Sequence, residues 1–173
     1  VRDLTQGGEI TKPGDILTKF INCAAKETHF AWHKYKNENM EANDQLKKGI
    51  IPEEFKRQMY YTFGDYRDIF FGTDISSCKY IKDTSKTIKS ILGDKEKTKK
   101  GKNLIEDYKK LQEWWETNGP HIWERMLCAL SYDTKNKIID NEVRQKLMNN
   151  TNKNTFGTVK FSDGKTTLSE FAE

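Results

Sequence analysis

Pro52-Glu53-Glu54-Phe55-Lys56-Arg57-Gln58-Met59-Tyr60-Tyr61-Thr62-Phe63-Gly64-Asp65-Tyr66-Arg67-Asp68-Ile69-Phe70-Phe71-Gly72 is the stretch whose reading decides the fold. Within it Phe55, Met59, Phe63, Tyr66 and Phe70 step by four, four, three and four. That spacing keeps returning to one face of a helix with 3.6 residues per turn. Proline at the start, followed by two acids, suits the positive end of a helix dipole. Gly72 supplies the conformational freedom that ends one. A helix with a fully aromatic and aliphatic stripe must bury that stripe against other helices.

Partners for it lie on both sides. Upstream, Ile16, Phe20, Ala24, Ala31 and Tyr35 share one helical face, which predicts a long helix over 15–38 with Asp15 as its N-cap. The polar stretch Asn37 to Gly49 is predicted as a loop. Downstream, Ile81, Thr84, Ile88 and Ile91 mark a shorter helix ending at Gly93, followed by the lysine-rich loop Asp94 to Lys102. Leu104, Tyr108, Leu111, Trp115, Ile122, Met126 and Leu130 trace a fourth stripe. Asn118-Gly119-Pro120 interrupts that stripe, predicting one bent helix or two nearly continuous ones. Asp140 is the expected N-cap of a short helix carrying Val143 and Leu147. Thr155 to Phe161 is the only strand candidate, and Thr167-Leu168-Ser169-Glu170 reads as a capping box. The expectation is an all-α fold, an antiparallel bundle of four main helices plus a short extra helix. Its helices are taken to alternate up and down.

The 173 residues fit one core. With 35% hydrophobic, 32% charged and 12% aromatic residues, the chain has both a globular interior and a polar surface. Thirty basic against 26 acidic residues leave a formal charge of +4, too diffuse an excess to predict nucleic-acid binding. No window approaches the roughly 18 apolar residues of a membrane span, and no signal peptide opens the chain. Any targeting or anchoring is therefore expected to lie outside this chain.

Motifs for catalysis are weak. His29 and His33 are four apart, a spacing that lets two imidazoles meet one metal, but the glutamate of a zinc-peptidase motif is missing between them. Asp65 and Asp68 are placed as helix-surface ion-pair partners rather than an acid/base pair. No phosphate-cradling glycine loop and no nucleophile elbow occurs. The reading is a non-enzyme with no cofactor and no metal. Trp114, Trp115 and Trp123 could be stacking platforms, yet residues 115, 122, 123 and 126 fall largely on an apolar stripe, so the tryptophans read as core. Lys95, Lys97, Lys99, Lys100 and Lys102 form the sharpest basic cluster, a candidate site for an anionic ligand or simply a solvated loop. Asn149-Asn150-Thr151 is a formal glycosylation sequon to which no function is attached.

Cys23, Cys78 and Cys128 lack metal-binding spacing. With up-and-down helices all three fall near one end of the bundle, so one disulfide with one thiol left over is the leading arithmetic. Cys78 with Cys128 is preferred, Cys23 with either is open, and three buried thiols is the alternative.

Three segments together resemble a known family. They are Pro52 to Met59, Tyr61 to Ile69, and Trp114-Trp115 followed by Gly119-Pro120-His121-Ile122-Trp123-Glu124-Arg125-Met126-Leu127-Cys128-Ala129-Leu130. They closely resemble the middle subdomain of Duffy-binding-like domains in the Plasmodium falciparum erythrocyte membrane protein family. Phe30-Ala31-Trp32-His33-Lys34-Tyr35-Lys36 and Leu127 to Tyr132 look most like its beta class. The chain departs from that pattern where many relatives carry a cysteine and it carries Phe70, so the family's disulfide pairings do not transfer unchanged. The resemblance implies three parts: residues 1–14 as an irregular lead from a preceding subdomain, 15–148 as the helical middle subdomain, and 149–173 as a linker and the start of a truncated following one. It also implies an adhesion module on the infected erythrocyte surface that binds a host receptor protein, for the beta class intercellular adhesion molecule. Sulfated glycosaminoglycan, taken by the Lys95 to Lys102 loop, is the alternative ligand. Receptor contacts in that class lie substantially in the later subdomain.

Overall fold

The computed structural model describes Leu4 and residues 10–74, 78–93, 104–149, 151, 153–161 and 163–171. Along the chain run α1 (Pro13–Glu38), α2 (Ala42–Lys47), α3 (Glu53–Phe71), α4 (Lys79–Leu92), α5 (Leu104–Leu130), strands β1 (Tyr132–Asp133) and β2 (Ile138–Ile139), α6 (Asn141–Met148) and α7 (Leu168–Phe171). The all-α reading holds.

α1 begins at Pro13, two residues earlier than expected, because Asp15 is not its N-cap. The Asp15 carboxylate instead reaches back and accepts from the amides of Thr11 and Lys12, both at 3.1 Å, and from the Thr11 hydroxyl at 2.8 Å. Four N–H groups at a helix start lack partners, and an acid in the first turn serves the residues just before it equally well. α3 ends as expected at Gly72, whose φ of 70° lies in the left-handed region. Asp140 caps α6, accepting from Glu142 and Val143 amides at 3.1 Å.

Two expectations of local structure need correction. The stretch 37–49 holds α2, a short helix whose Ala42 and Leu46, four apart, are both buried. Thr155 to Phe161 is not a strand: Thr158 and Val159 amides fold back onto the Thr155 carbonyl, and only Lys160 makes an isolated bridge, to Thr167. The two-stranded ladder sits instead at Tyr132↔Ile139 and Asp133↔Ile138, antiparallel, after the end of α5. Asp133 builds its turn by accepting from the Lys135 amide at 2.8 Å and from Asn136 Nδ2 at 2.7 Å.

Up-and-down alternation also fails. Phe20 of α1 meets Tyr66 and Phe70 of α3, and Phe70 stacks on Trp114 of α5 at 4.6 Å. Further along α1, His29 donates from Nδ1 to the Ala129 carbonyl at 3.4 Å. α1 and α5 therefore run in the same direction, packed along much of their length, with α3 antiparallel to both. α5 stays one helix through Pro120. In the turn before it, Asn118 Nδ2 and Thr117 Oγ1 bond back to the Trp114 and Glu113 carbonyls, occupying acceptors beside the missing proline N–H.

The core is aromatic from end to end. Trp32 packs edge-on against Phe55 at 5.0 Å, and Phe63 lies between Trp115, Trp123 and Phe156. Tyr60 stacks on Phe161 at 4.2 Å. Fully burying each such side chain is worth about 1.5–3 kcal/mol. The segment read as linker packs onto this core: Asn154, Val159 and Leu168 are buried. Asn154 Nδ2 donates to the Gly49 carbonyl at 2.8 Å and the Leu147 carbonyl at 3.3 Å, while its own carbonyl accepts from Trp123 Nε1 at 2.8 Å.

Candidate functional site

The parallel run of α1 and α5 brings the last third of α1 beside the β1–β2 hairpin, and there the apolar surface is not covered. Phe30 is 70% exposed, Ile138 59%, Ile139 42% and Tyr132 38%. His29 joins them into one patch, its ring 5.7 Å from Phe30 and 5.4 Å from Tyr132, and Tyr132 pairs with Ile139 across the ladder. His33 fixes the hairpin turn to α1 through Nε2 and Thr134 Oγ1, 3.2 Å apart. The patch thus rests on helix and hairpin backbone rather than on a loose loop, which lowers the entropy lost on binding.

Exposed lysines rim the patch. Lys26 and Lys34 stand four residues either side of Phe30 on α1, and Lys135 and Lys137 lie in the hairpin turn. Asp133 is occupied in building that turn, and the hydrogen bond from the Lys135 amide, then that from Asn136, holds its carboxyl below the usual range. Large aromatic and aliphatic groups ringed by charge match the anatomy of a protein-binding surface.

The histidines take part in this patch as linkers. His29 spends Nδ1 on Ala129 and His33 spends Nε2 on Thr134. Among the described residues no group of three His, Cys, Asp or Glu could hold a metal ion. Asp68 accepts from Thr73 Oγ1 at 2.8 Å and lies 3.9 Å from the Arg67 guanidinium. Packing around the Asp65 carboxyl, then the charges of Glu27, Asp68 and Asp74, raise its pKa, although the residue is exposed. Trp115 and Trp123 are buried and Trp114 half-buried, in agreement with the core reading.

Cys23 is buried, Cys128 half-buried and Cys78 exposed, and these three are in no disulfide with one another. Their predicted meeting at one end of the bundle rested on alternating helices. Because α5 runs with α1, Cys128 lies at the His29 end, opposite the start of α1. Lys95, Lys97, Lys99, Lys100 and Lys102 lie outside the described residues. Sequence reasoning missed the Phe30 patch. Its signal was an aromatic residue off the apolar stripe of α1, between lysines at the positions four before and four after.

No helix among the described residues is long and apolar enough to cross a membrane. The family model described as the Duffy binding domain matches residues 2–167. The chain is 24% identical over 87 residues to the Duffy receptor alpha form of Plasmodium knowlesi. It is 25% identical over 87 residues to the Duffy receptor of Plasmodium vivax (strain Salvador I). Each alignment covers 50% of this chain and 7% of the relative, so the chain corresponds to a small part of either protein. No solved structure matches.

Proposed function

The chain belongs to the Duffy binding domain family, and from that premise we propose that it is a non-enzymatic, extracellular adhesion module that holds a host cell-surface receptor protein. The observation that carries the proposal is the Phe30, Tyr132, Ile138 and Ile139 patch, rigidly mounted and left open to solvent. Such aromatic anchors in a charged rim are where binding energy concentrates, commonly 2 kcal/mol or more for one side chain. The two similar proteins are both named as Duffy receptors, which supports recognition of another protein over catalysis.

The finer reading rests on the family motifs quoted above. It is a beta-class-like domain of the Plasmodium falciparum erythrocyte membrane protein family, displayed on the infected erythrocyte by a larger anchored parent. There it would support cytoadherence and antigenic variation, with intercellular adhesion molecule as the receptor. A second reading has sulfated glycosaminoglycan as the ligand, taken by the Lys95 to Lys102 segment, and the exposed lysines around Phe30 favour an anionic ligand as well.

The test is surface binding of the chain to soluble intercellular adhesion molecule, to erythrocytes and endothelial cells, and to heparin, each at two salt concentrations. Receptor adhesion predicts saturable protein or cell binding that falls at least about tenfold in Phe30→Ser and Tyr132→Ser. Phe30→Ser keeps the parent melting temperature because that position is 70% exposed, and the melting temperature of Tyr132→Ser, which also loses its ring contact with His29, separates a lost contact from a lost fold. Binding to heparin alone, collapsing with salt, moves the function to the glycan reading. Cell binding untouched by either variant removes the patch as the contact face.

A further inference from the structure

The hairpin beside Phe30 has an open backbone edge along β2. Asp140 N–H donates to the Ser131 carbonyl at 2.8 Å, so Tyr132↔Ile139 is the widely spaced pair of the ladder and Asp133↔Ile138 the bonded one. The N–H and C=O of Ile139 therefore point away from β1. Neither has a partner among the described residues. Every residue from Thr134 to Glu142 is exposed, so no described element covers this side.

An exposed edge that carries two β-branched side chains, Ile138 and Ile139, is a template for one more strand. The charge around it selects what that strand carries. Lys135 and Lys137 stand at the start of β2, and neither makes a salt bridge among the described residues. The nearby acids are spent. Asp133 accepts from the Lys135 amide and Asn136, Asp140 from the Glu142 and Val143 amides, and Glu142 from Lys146 at 2.6 Å. A second copy of the chain would thus bring no free carboxylate of this hairpin to the two lysines.

We propose that β2 receives an extended segment of the receptor protein as a third strand, bonded through Ile139 N–H and C=O, with acidic side chains of that segment at the Lys135 and Lys137 end. This rests on the adhesion reading above and states how the partner is held. Added antiparallel, one residue of the segment exchanges both bonds with Ile139. Main-chain bonds supply attachment, while the lysines and the exposed isoleucines choose the segment. His33 and Thr134 already fix the hairpin to α1, so the edge is in place before the strand arrives.

The experiment is a ¹H–¹⁵N NMR titration of the chain that reads the Ile139 amide. The probe is acetyl-Thr-Val-Thr-Val-Glu-Glu amide, set against the same peptide ending in Lys-Lys and the same peptide N-methylated through its Thr-Val-Thr-Val run. The proposal expects the Ile139 amide proton to move downfield saturably with the acidic peptide, and the other two to bind at least about fivefold more weakly. Ile139→Pro removes the outward N–H without removing a ladder bond, whereas Ile139→Ala removes the side chain and keeps the N–H. Read at the Ile138 amide, the proline variant binds the acidic peptide at least about threefold more weakly than the alanine variant. An Ile139 signal that never moves overturns the proposal, and so does an equal response to the lysine peptide. A shift that grows with protein concentration alone also overturns it, because the edge then serves a second copy. Cell binding separates this strand from adhesion itself. Cells held equally by the parent and by Ile139→Pro leave adhesion standing and remove the strand, whereas an Ile139 response in a chain that holds no cell removes adhesion and keeps the edge site.

Discussion

Asn154→Ala tests how firmly the segment after α6 is built into the bundle. The Asn154 side chain is buried and donates to two main-chain carbonyls, Gly49 at 2.8 Å and Leu147 at 3.3 Å. It thereby joins the turn before α3 to the end of α6. Alanine removes both donors and leaves the buried Gly49 carbonyl without this partner. An orphaned buried acceptor costs about 1–3 kcal/mol, and the longer bond adds about 0.5 kcal/mol, so the expected loss is about 2–3 kcal/mol. With a urea m-value of about 2 kcal/mol/M the unfolding midpoint falls by about 1–1.5 M. Trp123 reports the change directly, because its Nε1–H bonds to the Asn154 main-chain carbonyl, which alanine retains. Asn154→Asp should be worse than alanine at pH 7, since a carboxylate donates nothing and faces two carbonyl oxygens. Urea unfolding followed by tryptophan fluorescence measures both. If both variants unfold within about 0.5 kcal/mol of the parent, the range of ordinary surface changes, the segment is not fastened through Asn154 and the reasoning is wrong.

Gly72→Ala should destabilise by about 1–2 kcal/mol, the left-handed penalty at φ 70°. A Cβ there would also lie 3.3 Å from Ser85 Cβ, and thermal unfolding checks the loss. Ser85→Ala should cost about 1 kcal/mol in the same assay, because its hydroxyl donates to the Ile69 carbonyl at 2.6 Å and ties α4 to α3. Tyr60 is held above its ordinary pKa by burial first and then by Glu53 and Asp163. Folded Tyr60 therefore keeps its proton where the unfolded chain releases it, so its stabilisation is complete below about pH 10 and is lost as pH rises above that. Tyrosinate absorbance should show a step that appears only with unfolding and shrinks by one tyrosine in Tyr60→Phe. Asp65→Asn should raise the melting temperature at pH 7 but not below pH 3. The raised pKa of Asp65 means that its charged form is the disfavoured one in the folded state, through local packing and its three acidic neighbours.

The long helices were legible because their signal is local. Phe55, Met59, Phe63, Tyr66 and Phe70 announce a buried face at any packing angle, and Gly72 and Asp140 stop and start helices through bonds within a few residues. Direction was not legible. Alternation is the default only when every connection is short, and nothing in the stripe of α5 says that it runs with α1 rather than against it. That one error carried into the cysteines, whose expected meeting depended on alternation. α2 was missed because six residues show too little periodicity, though Ala42 and Leu46 were its trace. The hairpin was missed because two-residue strands have no alternation to read, and Asp133 ahead of a polar turn was its only mark.

The direction of α5 also decides where an adhesive surface can lie. Had α5 run against α1, its last turn would sit by Phe20, and the hairpin that follows would close over the aromatic core. Running with α1, it delivers Ala129 to His29 and the hairpin turn to His33. Tyr132 and Ile139 then flank an aromatic residue that α1 already turns outward. Phe30 by itself would be an isolated exposed ring, which surfaces carry without consequence. Flanked by the hairpin it becomes part of a patch drawn from three elements and held by side-chain contacts at both histidines. Substituting His33 should therefore lower receptor binding while Phe30, Tyr132, Ile138 and Ile139 are all retained, by releasing the turn that positions Tyr132.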